Sequence, residues 1–328
     1  MPWRGPEYPG EWPTLGYLIA DWIQDMVVIP DRDVAGQPFI LTDPELRFLL
    51  NLYRLVPETG RFYWDRGGSL KAPQKWGKGP FSAGVVCAEA EGPALFDGWD
   101  ANGEPVGRPW PTPVIQVTAV SDDQTRNVWS ALVPMIELGS LRAEIPDTGE
   151  TRINLVGGGD IRPTTSAHRS RLGQRITFAV QDQTESYLRS NHGRTLADNQ
   201  RRNLAGTGGR FLETPNAYDP REESVAQHTW EGNEPGVYRW APDAGPGSIR
   251  NQRAPSTPTT TRAPGSGWYS GLPRARHLAM SKADSDPPPS RLRNHRSAWA
   301  GSRGRRAMIS DSIRSGMIHP PWLTRWPS

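Results

Sequence analysis

A chain of 328 residues has room for one large or two ordinary domains, but 35% hydrophobic residues, 34 Gly, 33 Pro and a mean hydropathy of -0.64 leave part of it too polar for a packed core. The single cysteine, Cys87, excludes an intramolecular disulfide and a Cys-rich zinc site, and the 6 scattered histidines offer no ligand spacing. The net charge of +3 conceals a division: residues 241–328 hold 14 Lys and Arg against 4 Asp and no Glu, a net of +10, which leaves -7 on residues 1–240.

The N-terminal stretch MPWRGPEYPGEWPTLGYLIADWIQD lacks the basic start and unbroken apolar core of a signal peptide. No apolar run approaches the ~20 residues of a membrane span, so a soluble, intracellular chain without membrane contact is expected. Residues 1–40 read as a lead-in. The folded body, 41–244, opens with LTDPELRFLLNLYRL, where Thr42 or Asp43 caps a helix over 43–55 and Leu46, Leu49, Leu50 and Tyr53 recur at helical spacing. GRFYWDRGGSL has the aromatic alternation and Gly pair of a strand and turn, and SAGVVCAEAEG is small, apolar and helix-compatible. TPVIQVTAV is a buried-strand run. SDDQTRNVWSALVPMIELG follows as a helix capped by Ser121 or Asp122, with Val128, Leu132 and Met135 or Ile136 along one face. TRINLVGGGDIRPTT predicts a hairpin about Gly157–Gly159, and QRITFAVQDQTE and GGRFLETPNAYDP predict two further strands ending in polar residues. Strands alternating with helices argue an α/β fold, a mostly parallel sheet flanked by helices with ligands at the strand C-termini.

Between the strand and helix around residue 75 lies KAPQKWGKGP. Against the phosphate-loop pattern G-x-x-x-x-G-K-[ST], Gly77 and Lys78 match, Ala72 stands at the first glycine, and Gly79 replaces the hydroxyl residue. Consecutive backbone N–H groups and a helix N-terminus hold phosphate without a particular side chain, so the chemistry survives this departure. A surface turn containing Gly-Lys is the competing reading. Without a hydroxyl at 79, Mg²⁺ would rely on water or on Ser82. ITFAVQDQTE adds an acid at a strand end: Asp182 for the metal, with Gln183 beside it and Glu185 two residues on. An ordinary core strand ending in a surface Asp explains the same letters.

Together QPFILTDPELRFLLNLYRL, KAPQKWGKGPFSA, VIQVTAVSDDQTRNVWSAL, SRLGQRITFAVQDQTES and NQRRNLAGTGGRFLETPNAYDP resemble the large terminase subunits of tailed bacteriophages, in particular those from phages of actinobacteria, over about residues 15–240. That resemblance implies a P-loop ATPase of the ASCE (RecA-like) class that drives packaging of double-stranded DNA, followed by an RNase H-like nuclease. It implies ATP and Mg²⁺ as cofactors, a portal protein, a small terminase subunit and double-stranded DNA as partners, a homo-oligomeric ring during packaging, and the host cytoplasm as the place of action. By position, Gln74, Gly77, Lys78 and Gly79 would hold the nucleotide, and Lys75 would be the extra basic residue such loops carry. Asp182 would take the metal, Gln183 and Glu185 would serve the attacking water, and Thr214 and Asn216 of ETPNA would sense nucleotide state. Asp123 and Gln124 match a polar pair that opens the helix after the family's second strand, and Phe48 and Tyr53 fall where adenine is usually surrounded, although a core helix explains them equally well. Arg169, Arg171 and Arg175 are undifferentiated candidates for a trans-acting arginine.

Two departures, Gly79 for Ser or Thr and Gln183 for the usual Glu, predict slow hydrolysis or reliance on Glu185. The third is residues 245–328, Pro/Arg/Ser-rich where the nuclease would begin. This tail reads as disordered apart from a short helix near RRAMISDSIRSGMI. Asp284 and Asp286 beside PPP do not make a two-metal site, so no nuclease activity is expected. A shifted reading frame in a GC-rich gene would give that composition, which would make the chain a truncated motor subunit. The tail is otherwise either a nucleic-acid-binding arm or a solvated extension. The alternative for the whole chain is a non-enzymatic DNA-associated protein with a degenerate nucleotide site.

Overall fold

The computed structural model describes residues 3–7, 10–149, 151–165, 174–232 and 234–242. The stretch 245–328, with the expectations about its disorder, its short helix, its reading frame and the nuclease, lies outside the described residues.

The first helix, α1 (Gly16–Met26), lays Gly16 directly on the second, α2 (Asp43–Leu52): a side-chain carbon at 16 would come within 2.6 Å of Leu50 Cα, so only glycine permits this approach. At the start of α2, Glu45 reaches back to accept from the Thr42 backbone N–H at 2.8 Å, a reciprocal cap that fixes where the helix begins. β1 (Gly67–Leu70) is shorter and lies later than the aromatic alternation predicts. Gly67 has φ +127°, and a Cβ there would stand 2.0 Å from the Phe211 carbonyl, so the strand needs Gly67 where the pattern favoured Phe62–Trp64. Those aromatics pack instead around the loop, Phe62 on Tyr53 and Trp64 on Tyr238.

α3 (Lys78–Glu91) is buried on all sides, as its small residues Ala83, Gly84, Ala88 and Ala90 allow. A separate antiparallel pair, β2 (Leu95–Trp99) and β3 (Pro105–Arg108), precedes β4 (Val114–Ala119) and α4 (Asp122–Glu137). Val128, Leu132, Met135 and Ile136 of α4 are all fully buried, as the spacing predicts. β5 (Asp147–Thr148), β6 (Ile153–Asn154) and β7 (Asp160–Thr165) follow, and the expected hairpin is β6 with β7, in register Ile153 to Ile161. β8 (Phe178–Asp182), α5 (Gly193–Thr207), β9 (Arg210–Thr214), α6 (Val225–Glu231) and β10 (Val237–Trp240) complete the body.

The eight-stranded sheet has the order β10-β1-β9-β8-β4-β7-β6-β5, parallel from β10 through β7, with β6 and β5 antiparallel at the far edge. Parallel pairing brings the C-terminal ends of β1, β8 and β9 to one side of the sheet, which places the 71–77 loop beside the polar residues after β8 and β9. The fold is the mostly parallel, helix-flanked α/β sheet that the alternation of elements predicts.

One buried ion pair ties helices to sheet. Glu89 on α3 lies 3.4 Å from Arg210 of β9, accepts from Tyr53 Oη at 2.5 Å and from Trp110 Nε1 at 2.9 Å, and Arg210 also donates to the Leu52 carbonyl at 2.6 Å. The guanidinium stacks on Tyr53 and Phe62, 4.4 and 3.6 Å from their centroids. Burial raises the Glu89 carboxyl above its ordinary range, while Arg210, Tyr53 and Trp110 pull it back. Removing one partner strands a charge in the interior, so Arg210→Met is expected to destabilise the fold by about 3–5 kcal/mol, read from urea unfolding at neutral pH.

Candidate functional site

The loop between β1 and α3 owes its shape to backbone conformation. Lys75 (φ +63°) and Gly77 (φ +109°) both adopt left-handed geometry, and Gly77 caps α3 with no side chain. The first N–H groups of α3 therefore have no side-chain partner at the cap, the arrangement that attracts anions. The loop opens on a cavity of about 720 Å³.

Of the residues singled out from sequence, Gln74, Lys75, Gly77, Lys78, Gly79, Asp182, Gln183 and Asn216 line this cavity, drawn from three separate segments. Lys78 is 8% exposed, and its Nζ donates to the carbonyls of Ala72 (2.5 Å) and Pro73 (3.1 Å) and to Asn216 Oδ1 (2.6 Å). Asn216 in turn donates to Glu185, Nδ2 to Oε1 at 2.5 Å and the backbone N–H to Oε2 at 2.9 Å. Asp182 and Thr214 are partners in the parallel ladder, and Thr214 Oγ1 donates to Asp182 Oδ1 at 2.7 Å. Gln183 turns the chain with φ +56°, its N–H donating to the Thr214 carbonyl at 3.3 Å. Thr214 and Glu185 thus stand behind the cavity wall, holding Asp182 and Asn216.

Several expected residues are placed elsewhere. Phe48 and Tyr53 are fully buried, Phe48 packed on Phe81, Tyr238 and Trp240 and Tyr53 beneath Arg210, so both belong to the core and neither lines the cavity. Ser82 also misses the cavity: it is fully buried in α3, and its Oγ has no hydrogen-bond partner. Arg175 is exposed, Arg169 and Arg171 lie outside the described residues, and so do the side chains of Asp123 and Gln124. The sequence reading did not single out Asp31, Arg32, Trp76, Asn127 and Ser130, which share the cavity. Asn127 and Ser130 sit one turn apart on α4, a spacing that was available once that helix was assigned.

Gly79 has a packing reason. A Cβ at 79 would lie 3.3 Å from the Asn127 carbonyl of α4, so the usual hydroxyl residue would press on the neighbouring helix backbone. Burial raises the Asp182 carboxyl to about 6, and Glu185 adds to the rise, whereas the Thr214 hydroxyl, the Lys78 ammonium and the Gln183 N–H lower it. Desolvation lowers the Lys78 ammonium, opposed by Asp182 and Glu185. Among the described residues no group of three or more His, Cys, Asp or Glu is placed to hold a metal alone. The oxygen set of Asp182, with Glu185 behind it, fits a Mg²⁺ ion held mainly by phosphate and water, which needs only one or two carboxylates.

The raised Asp182 fixes a pH dependence. In the unfolded chain its carboxyl ionises near 3.8 and in the fold near 6. Its contribution to stability is therefore fully present below pH 3.8 and is lost as pH rises through 6. Across that window wild type loses roughly 3 kcal/mol that Asp182→Asn does not, a difference measurable by urea unfolding of both proteins at pH 4 and pH 7.5.

No family model matches the chain. It is 34% identical over 251 residues to the gene 13 protein of Mycobacterium phage L5, covering 68% of this chain and 42% of that protein. It is 35% identical over 242 residues to the gene 13 protein of Mycobacterium phage D29, covering 66% and 40%. The chain thus spans about two fifths of the length of the curated relatives it matches. Among solved structures, the HK97 bacteriophage large terminase matches with a TM-score of 0.51 at 15% identity, over 71% of this chain and 45% of that one, a likeness of fold. The chain is a homologue of the mycobacteriophage gene 13 proteins, built on the fold of a phage large terminase.

Proposed function

We propose that the chain is an ATPase of the large terminase type, a motor subunit that packages viral double-stranded DNA in the host cytoplasm as a ring, together with a portal protein and a small terminase subunit. The observation that carries this reading is the continuous path Lys78–Asn216–Glu185, lying beside the Asp182–Thr214 pair at the C-terminal edge of a parallel sheet.

Each residue then has a task. The α3 N-terminus, with Gly77, Gly79 and Gln74 on the loop, receives the phosphates, and Lys75 adds positive charge from the loop. Lys78 exchanges its carbonyl partners for phosphate oxygens. Mg²⁺ would be held by Asp182 and would neutralise charge on those oxygens. Gln183 orients water but is a poor base, which leaves Glu185 as the carboxylate for proton acceptance. Asn216 binds both Lys78 and Glu185, so a phosphate that draws Lys78 away also alters the hold on Glu185. This makes Asn216, supported by Thr214, the residue that reports nucleotide state.

A second reading has one observation in its favour: Asn127 crowds position 79, where the usual metal-binding hydroxyl is absent, which suits a DNA-associated protein that binds nucleotide without turning it over.

Measured as ATP turnover by the full chain with Mg²⁺ and double-stranded DNA, the wild type is expected to be active. Lys78→Ala and Glu185→Gln are each expected to lose roughly 100-fold or more. The two variants separate by affinity: Glu185→Gln keeps nucleotide binding and Lys78→Ala weakens it. Nucleotide binding with no wild-type turnover selects the second reading, and absence of both overturns the nucleotide site.

A further inference from the structure

Behind the site, on the other face of the sheet, lies a buried polar cluster that the proposed chemistry does not use. Residues alternate between faces along a strand. Asp182 and Thr214 therefore point one way, and their neighbours Gln181 and Glu213 point towards α5. Glu213 is 0% exposed, Arg201 of α5 lies 3.4 Å from its Oε2, and Thr184 Oγ1 donates to its Oε1 at 2.5 Å. The same guanidinium donates twice to Gln181 Oε1, from Nε at 3.1 Å and from Nη2 at 3.0 Å. It is itself fixed by Thr229 Oγ1 at 3.1 Å and by the Phe211 ring, 4.1 Å from its centroid.

The positions gripped are informative. Gln181 precedes Asp182, Thr184 lies between Gln183 and Glu185, and Glu213 precedes Thr214. One ion pair thus holds a residue next to Asp182 and a residue next to Glu185 without touching the cavity. A buried pair is a weak means of adding stability, since apolar residues of similar volume commonly do as well. What it adds over an apolar pair is direction, because its hydrogen bonds fix particular atoms of β8 and β9.

We propose that Arg201 and Glu213 are positioning residues that set the ends of β8 and β9 so that Asp182 faces the nucleotide while Glu185 keeps its hold on Asn216. The proposal rests on the nucleotide-site reading and adds to it a dependence on α5.

The test uses the full chain in four forms: wild type, Arg201→Met, Glu213→Leu and the double variant. Thermal unfolding, nucleotide affinity, kcat for ATP and amide hydrogen exchange of residues 182–186 are measured on each. Both single variants are expected to unfold at lower temperature, and the double variant to recover most of that loss. The double variant is nevertheless expected to keep a kcat at least ~10-fold below wild type, with nucleotide affinity within about twofold and faster exchange confined to 182–186. Recovery of wild-type kcat and exchange along with stability would make the pair structural only and would overturn the proposal. If wild type turns over no ATP, the motor reading fails by itself, and the exchange comparison still decides the positioning role. If the double variant does not fold, Glu213→Gln, which keeps the shape and cancels the charge, is carried through the same measurements, with the same two outcomes.

Discussion

The register of β8 against β9 is the constraint on which the site depends. Asp182 stands opposite Thr214, and Gln181 opposite Glu213. A slip of one residue would exchange the two faces, because side chains alternate. A slip of β8 would turn Asp182 towards α5, and the Lys78–Asn216–Glu185 path would lose its acidic neighbour. Both faces of this strand pair carry polar groups with specific partners, so an error in register would leave buried charge unpaired on each side. The hydrogen bonds of the two faces therefore enforce one another.

Much of this was legible in the letters, where apolar patterning and motif coincide. α2 with its Thr42 start, the buried helix α3, and the short strands β4, β8 and β9 follow from period and composition, and so does the placing of Lys78 and Asp182 at one edge of a parallel sheet. α5 was not legible. Its buried positions, Gly193, Ala197, Gln200 and Leu204, have helical spacing, but only one of them is a large apolar residue. Gln200 binds Gln116 and Thr118 through hydrogen bonds, which hydropathy does not register. β1 was placed too early because aromatics favour strands, whereas the close approach of the Phe211 backbone admits only glycine at 67. The cavity contributions of Asp31 and Arg32 come from a segment far from the motif and need the folded chain to be seen. Phe48 and Tyr53 show the limit of position alone: their place in the chain suits the edge of a nucleotide site, but their surroundings are core.

The two unusual residues of the site differ in physical character. Gly79 lies against its neighbour, since a side chain there would come within 3.3 Å of the Asn127 carbonyl and the α4 backbone would have to give way slightly. Gln183 is held by its backbone: the left-handed turn and the N–H bond to the Thr214 carbonyl redirect the chain so that Glu185 meets Asn216. Two residues later Glu185 brings a carboxylate against Asn216.

β10 is the edge strand of the sheet among the described residues, and it pairs with β1, the strand that leads into the 71–77 loop. The Lys71 N–H bonds to the Trp240 carbonyl, immediately before the loop begins. A pull on the chain past residue 242 would therefore reach β10 first and would pass to β1 as shear along parallel strands, the direction in which a ladder shares load among its bonds. Mechanical strain arriving at this edge would be felt at Ala72 and Pro73, whose carbonyls hold Lys78.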